Sequence, residues 1–174
     1  MIRHLTAQDY TEMPWANGRG VTGEMLRLEA AGALLWRFSR AAVLEAGPFS
    51  LFAGIERNLT VISGPGFDLV GARFLLQALP LLPVAFPGDV QLSAENVTAP
   101  CDDFNVMSAR PLPRPEVLVQ RQPVVLAAGG MLCLFALGTA QVNGLAMHCH
   151  DLILTDGTAE LIPAAPVISV RLLR

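Results

Sequence analysis

The chain has 174 residues, enough for one ordinary domain or two small fused barrels. It is 52% hydrophobic and only 16% charged, which excludes a disordered chain and leaves material for a large core. The net charge is −3 and the 12 basic residues are all Arg, scattered singly, which argues against a nucleic-acid footprint and against a basic membrane-binding face.

The first segment, MIRHLTAQDY, lacks the apolar run of a signal peptide, and Thr6-Ala-Gln-Asp9 is suited to cap a short helical turn. Cys101, Cys133 and Cys149 are odd in number and show no CxxC spacing, so a disulfide framework is not expected. These features together predict a cytoplasmic protein. The most apolar run, Val124 to Ala140, is shorter than the roughly 20 residues that span a bilayer, and Gly129-Gly130 interrupts it as a turn.

There are 15 Gly and 13 Pro spread along the chain, the punctuation of many short strands. A Gly-rich loop, Met13-Pro-Trp-Ala-Asn-Gly-Arg-Gly-Val-Thr22, precedes predicted strands at 24–30 and 34–43. In the second of these, Leu-Trp-Arg-Phe-Ser-Arg alternates large apolar with polar residues. Gly47-Pro48 breaks that strand. A further strand runs from Asn58 to Ser63, Gly64-Pro-Gly66 makes a tight turn, and Phe67–Val70 is expected to pair back. Residues 72–82 fit a buried helix by period, but Pro80 and Pro83 lie close behind and favour strand.

Asp102–Ser108, then Pro111, Pro113 and Pro115, mark a crossover between halves, with the joint near 108–116. This divides the chain into an N-terminal half, 1–110, and a C-terminal half, 111–174. Strands are predicted in the latter near 117–121, 124–127, 131–137, 140–143, 150–155, 158–162 and 167–173. Leu59-Thr-Val-Ile-Ser-Gly64 and Leu152-Ile-Leu-Thr-Asp-Gly157 form a weak internal echo. The fold class read from this pattern is all-β, a barrel or jelly roll.

Few constellations carry chemistry. His148-Cys-His150 is the one metal-like spacing, since positions i and i+2 of a strand share a face. A third ligand is not evident, so no metal and no other cofactor are expected. There is no Gly-x-Ser-x-Gly elbow. Asp102-Asp103 reads as a solvated turn, and the negative charge beside Cys101 disfavours a reactive thiolate. Asn17-Gly-Arg-Gly20 lacks the lysine of a phosphate-binding loop. Trp15 and Trp36 are candidates for a pocket floor or for plain core.

Arg57 is the most informative charge. It is in phase with Leu59 and Val61, so it shares their face if those two point inward. An inward guanidinium needs an anionic partner. Glu24, Asp102 or Asp103 would make that a structural salt bridge; a ligand carboxylate would make it a binding site. The residues alone leave both readings open.

Five blocks resemble the HutD/Ves family: Pro14-Trp-Ala-Asn-Gly-Arg-Gly-Val-Thr22, Trp36-Arg-Phe-Ser39, Gly47-Pro-Phe-Ser-Leu-Phe-Ala-Gly-Ile-Glu-Arg57, Phe86-Pro-Gly-Asp89 and Asp103-Phe-Asn-Val-Met107. They occur in order from about residue 1 to 110. The resemblance implies a double cupin-like jelly roll (a bicupin) of mostly antiparallel strands, with both halves in one compact unit. It also implies a link to bacterial histidine utilisation. Where a metal cupin carries its first His-x-His and Glu, the Phe49–Arg57 region carries Phe, Ser and Arg. Arg19 and Gly23 depart from the family, which often has Gly and Arg at those places.

The leading functional reading, on that resemblance and on Arg57, is a ligand-binding, regulatory protein without evident catalytic machinery. Its ligand would be a small anionic metabolite of histidine degradation: an N-formyl- or N-formimino-glutamate, or urocanate. Arg57 would clamp the carboxylate. Asn17, Ser50 and Asn105 would supply polar contacts, Trp15 and Phe49 apolar walls, with Ser39 and Met107 as further lining. The alternatives are a cupin-type isomerase or hydrolase using His148 and His150, and a surface-acting protein, such as a homodimer, with no small ligand.

Overall fold

The computed structural model describes residues 1–14 and 21–173. The Gly-rich loop residues Trp15, Asn17 and Arg19 lie outside the described residues. Nearly all the regular secondary structure of the described residues is antiparallel strand; the single helical element among them is a 3-10 turn, Ala7–Asp9. That turn starts where the sequence predicts. The Asp9 carboxylate accepts hydrogen bonds from the Thr6 N–H at 2.8 Å and the Thr6 hydroxyl at 3.0 Å. None of the described helices is long and apolar enough to cross a membrane.

The chain forms two compact units, Thr11–Pro111 and a second made of Met1–Tyr10 with Leu112–Arg174. The first ten residues thus group with the C-terminal part of the chain. The cause is strand pairing: Ile2–Leu5 lies antiparallel to Leu152–Thr155, with Ile2 opposite Thr155. No local pattern in a four-residue strand announces a partner so distant in sequence.

In the unit Thr11–Pro111 one sheet has six strands, in the order Thr11–Pro14, Val21–Ala30, Ala33–Val43, Cys101–Ala109, Ile55–Ser63, Val84–Pro87. A second sheet orders Gly47–Pro48, Ser93–Glu95, Phe67–Gly71 and Phe74–Ala78. Residues of both sheets meet in one core, including Leu59, Val61, Phe67, Leu69, Phe86 and Ala94. Asp102 and Asp103 belong to a central strand of the first sheet, where the sequence suggested a solvated turn. The segment 72–82 holds a strand, Phe74–Ala78, and no helix.

Phe67–Gly71 does not pair back on Ile55–Ser63. It enters the other sheet, between Ser93–Glu95 and Phe74–Ala78. Gly64-Pro-Gly66 is therefore a switch between sheets. Both glycines have positive φ, 87° and 93°. A Cβ on Gly64 would stand 2.4 Å from the Pro100 carbonyl oxygen, and one on Gly66 2.3 Å from that of Ala78.

The second unit also has two sheets. One orders Ile2–Leu5, Leu152–Thr155, Met131–Ala136, Val167–Leu172 and Glu116–Gln120; the other Val124–Leu126, Ala159–Pro163, Ala140–Val142 and Leu145–Met147. The predicted strands of this region match within a residue or two, except that Leu145–Met147 was not foreseen. Taken in chain order, the eight strands from Ala33–Val43 to Cys101–Ala109 and the eight from Glu116–Gln120 to Val167–Leu172 have the same neighbours. Each unit is a cupin-like jelly roll, and the fold is a double one. The strand equivalent to Ile55–Ser63 is Met131–Ala136, not Leu152–Thr155, so the sequence echo pairs the wrong strands. A hydrophobic strand ending in glycine recurs too easily to fix an equivalence.

A buried arginine in the first jelly roll

A cavity of about 910 Å³ opens in the unit Thr11–Pro111. Its wall is set by cross-strand register on one face of the six-stranded sheet. Met107 stands between Arg37 and Arg57, Asn105 between Ser39 and Leu59, and Asp103 between Ala41 and Val61. Each row is two residues from the next, so one face of three strands supplies all nine side chains. The apolar end of that face, Leu59 and Val61, is wholly buried in the core. The polar end lines the cavity.

Arg57 lies at the polar end and is only 6% exposed. Its Nε donates to Asn105 Oδ1 and its Nη1 to the Ser50 carbonyl, each at 3.3 Å. Its Cζ stands 5.2 Å from the ring centre of Phe49, 5.3 Å from Phe52 and 5.1 Å from Phe86. Burial lowers the guanidinium pKa to about 10, opposed by the charge of Asp103 and reinforced by that of Arg37. It remains a cation at neutral pH. None of the ion pairs among the described residues involves Arg57.

The three carboxylates suggested as its structural partners are placed otherwise. Glu24 accepts from Arg37 Nε. Asp102 engages Arg40 at 3.2 Å. Asp103, 2% exposed, does face Arg57 electrostatically, but burial pushes its carboxyl up to about 7. The charge of Arg57 and a hydrogen bond from Asn105 act in the opposite direction, and Asp102 adds to the rise. Asp103 Oδ1 is buried and has no hydrogen-bond partner among the described residues.

Of the site residues read from sequence, Arg57, Phe49, Ser50, Asn105, Ser39 and Met107 all line this cavity. Trp15 and Asn17 lie outside the described residues. Arg37, Asp103 and Phe52 also line it and were missed, as was Phe86, a core residue whose ring packs against Arg57. Arg37 and Asp103 each precede a named residue by two, which is the signal that could have found them. Trp36 does not line this cavity: it alternates onto the face opposite Arg37, with Phe38. Phe86 comes from the Phe86-Pro-Gly-Asp89 block. In the same block Asp89 takes a two-pronged contact from Arg110 at 2.9 and 2.8 Å, which also reaches Glu56 at 2.8 Å.

The histidines are in the other unit. His148-Cys-His150 is a turn and not a strand, so the shared-face argument does not apply. His4 Nε2 lies 2.9 Å from Asp151 Oδ2, and the His148 N–H donates to the same oxygen at 2.8 Å. His150 has φ 69° and stacks on Phe135 with ring centres 5.7 Å apart. The described residues hold no group of three or more His, Cys, Asp or Glu placed to bind a metal. In this unit the strand equivalent to that of Arg57 turns Leu132, Leu134 and Ala136 into the core, where the first unit has its cavity.

A sequence profile of the HutD family matches residues 7–167. The chain belongs to the HutD family. It is similar to an uncharacterised 21.2 kDa protein in the hutC 3′ region of Pseudomonas putida, 41% identical over 111 residues. That stretch covers 62% of this chain and 58% of the relative, less than two thirds of its length. The solved structure of HutD from Pseudomonas fluorescens SBW25, in a formate condition, aligns with a TM-score of 0.87 and 31% identity over 99% of this chain and 98% of that one. A pirin from Escherichia coli in complex with nickel(II) shares the fold alone, with a TM-score of 0.71 and 10% identity over 99% of each chain.

Proposed function

We propose that this HutD family member binds a small carboxylate of histidine degradation in the cavity of its first jelly roll, and acts as a regulatory sensor in the cytoplasm. The observation that carries the reading is Arg57: a cation, 6% exposed and walled by three aromatic rings, with none of its described contacts a carboxylate ion pair. A buried charge without a full counter-charge is costly, and an arriving carboxylate removes that cost. The neighbouring Arg37 is already matched by Glu24, so Arg57 is the cation with capacity left. Asn105, Ser39 and Ser50 supply neutral polar groups around it, and the phenylalanines exclude water.

The candidate ligands are N-formyl-L-glutamate, N-formimino-L-glutamate and urocanate. Calorimetry on the purified protein tests them directly. A charge-assisted contact contributes roughly 1.5–3 kcal/mol, so Arg57→Ala should weaken binding by about tenfold to a hundredfold. Arg57→Lys should recover only part, because an ammonium lacks the planar fork. Unchanged affinity in Arg57→Ala, or no binding of any of the three acids to the wild type, overturns the reading.

A further inference from the structure

The cavity holds a second ionisable group that the clamp alone does not use. Asp103 lies in the same sheet face as Arg57, one row beyond Asn105, and lines the same cavity. Asn105 stands in the row between the two on that face and accepts from Arg57 through Oδ1. We infer that Asp103 determines which ligand state is bound: the site takes up a carboxylate together with one proton, and Asp103 holds that proton. This inference rests on the carboxylate reading above and adds the protonation partner.

The argument is one of charge and hydrogen bonding. Asp103 Oδ1 is buried and has no hydrogen-bond donor among the described residues, an arrangement that suits a neutral acid better than an anion. The charged groups around it are Arg57 on Ile55–Ser63, Arg37 on Ala33–Val43 with its partner Glu24 on Val21–Ala30, Glu45 in the segment that follows, and Asp102, engaged by Arg40. Of these, Arg57 is the charge that holds Asp103 toward ionisation. A ligand carboxylate on Arg57 cancels that effect and brings a like charge close to Asp103. Two carboxylates beside one guanidinium cannot both stay ionised in a site of low dielectric. A proton from solvent therefore binds to Asp103, and the neutral carboxyl can donate a hydrogen bond to a ligand oxygen. A carboxyl that starts near pH 7, where burial has already carried it, needs little further rise to stay protonated in the complex.

The probe is N-formyl-L-glutamate, whose own carboxyls stay ionised above about pH 6. Titration calorimetry at about pH 8, repeated in phosphate and in Tris, reads the protons exchanged from the difference in heat. Uptake approaching one proton per ligand is expected, and binding should weaken about tenfold between roughly pH 6 and pH 8. In Asp103→Asn the uptake should vanish and the affinity should become flat in pH, with Arg57 still clamping. Asp103→Ser serves the same purpose if the first variant folds poorly. Binding without proton uptake in the wild type overturns this inference and leaves the carboxylate site standing. Uptake that persists in both variants also overturns it. Absence of binding in the wild type removes the carboxylate reading and this inference with it.

Discussion

Replacing Asp103 by Asn should make the folded protein more stable at high pH than at low pH relative to the wild type. The Asp103 carboxyl is pushed from the ordinary 3.8 up to about 7 by burial. That distance corresponds to on the order of 4 kcal/mol against the ionised form in the folded state. Because the folded pKa is raised, the favourable contribution is complete below about pH 4 and is lost as pH climbs to about 7. Between those limits the unfolding free energy falls by roughly 1.4 kcal/mol per pH unit. From about pH 5.5 to pH 8 the wild type should therefore lose about 2 kcal/mol that Asp103→Asn keeps. Urea denaturation of both proteins at the two pH values measures the difference. A gap that stays constant with pH would refute the placement of Asp103 as a buried, poorly compensated acid. A gap that moves the other way would mean that Arg57 dominates and the carboxyl is ionised well below neutrality.

Three further outcomes follow from particular contacts. Gly66→Ala combines a left-handed φ of 93° with a Cβ placed 2.3 Å from the Ala78 carbonyl oxygen, so it should destabilise by about 2 kcal/mol or more in thermal melts. Gly32→Ala, also at positive φ but with open space around its Cβ, should lose only about 1 kcal/mol in the same melts. Asp151→Ala removes the acceptor of His4 Nε2 and of the His148 N–H, and should lower stability by roughly 1–3 kcal/mol, with faster hydrogen exchange along Ile2–Leu5.

The all-β class was legible because glycine and proline punctuate the chain at strand-length intervals, and strand positions in the second unit followed closely. The position of Arg57 was also legible, since a period of two from Leu59 and Val61 is fixed by strand geometry alone. The polar face of Ala33–Val43 was harder. Alternation shows that Arg37 and Ser39 share a side, but a polar side is ordinarily the wet one; here it lines the cavity while Trp36 and Phe38 are buried on the other. Asp103 was hidden by its neighbour, because two adjacent acids look like a turn until the strand Cys101–Ala109 separates them onto opposite faces. Pairings across long separations, such as Ile2–Leu5 with Leu152–Thr155, leave no mark in a local window. The sheet switch at Gly64-Pro-Gly66 looks like a hairpin in sequence for the same reason: a tight turn does not record which sheet comes next.

The three rings around Arg57 have a consequence for discrimination by length. A free arginine side chain carries about 2 kcal/mol of rotamer entropy, much of which a surface residue would lose on meeting its ligand. With Phe49, Phe52 and Phe86 against the guanidinium, and its Nε and Nη1 tied to Asn105 and Ser50, the fold itself restrains that freedom. The cation is a fixed post and not a tether. Under the carboxylate reading proposed above, an acid would bring its carboxylate to the post, and the distance between that carboxylate and its far end would decide whether the far end reaches the polar row of Ser39 and Asn105 or overshoots it. Homologous acids one methylene apart should then be told apart by fit, much as a rigid ruler separates lengths that a flexible one would blur.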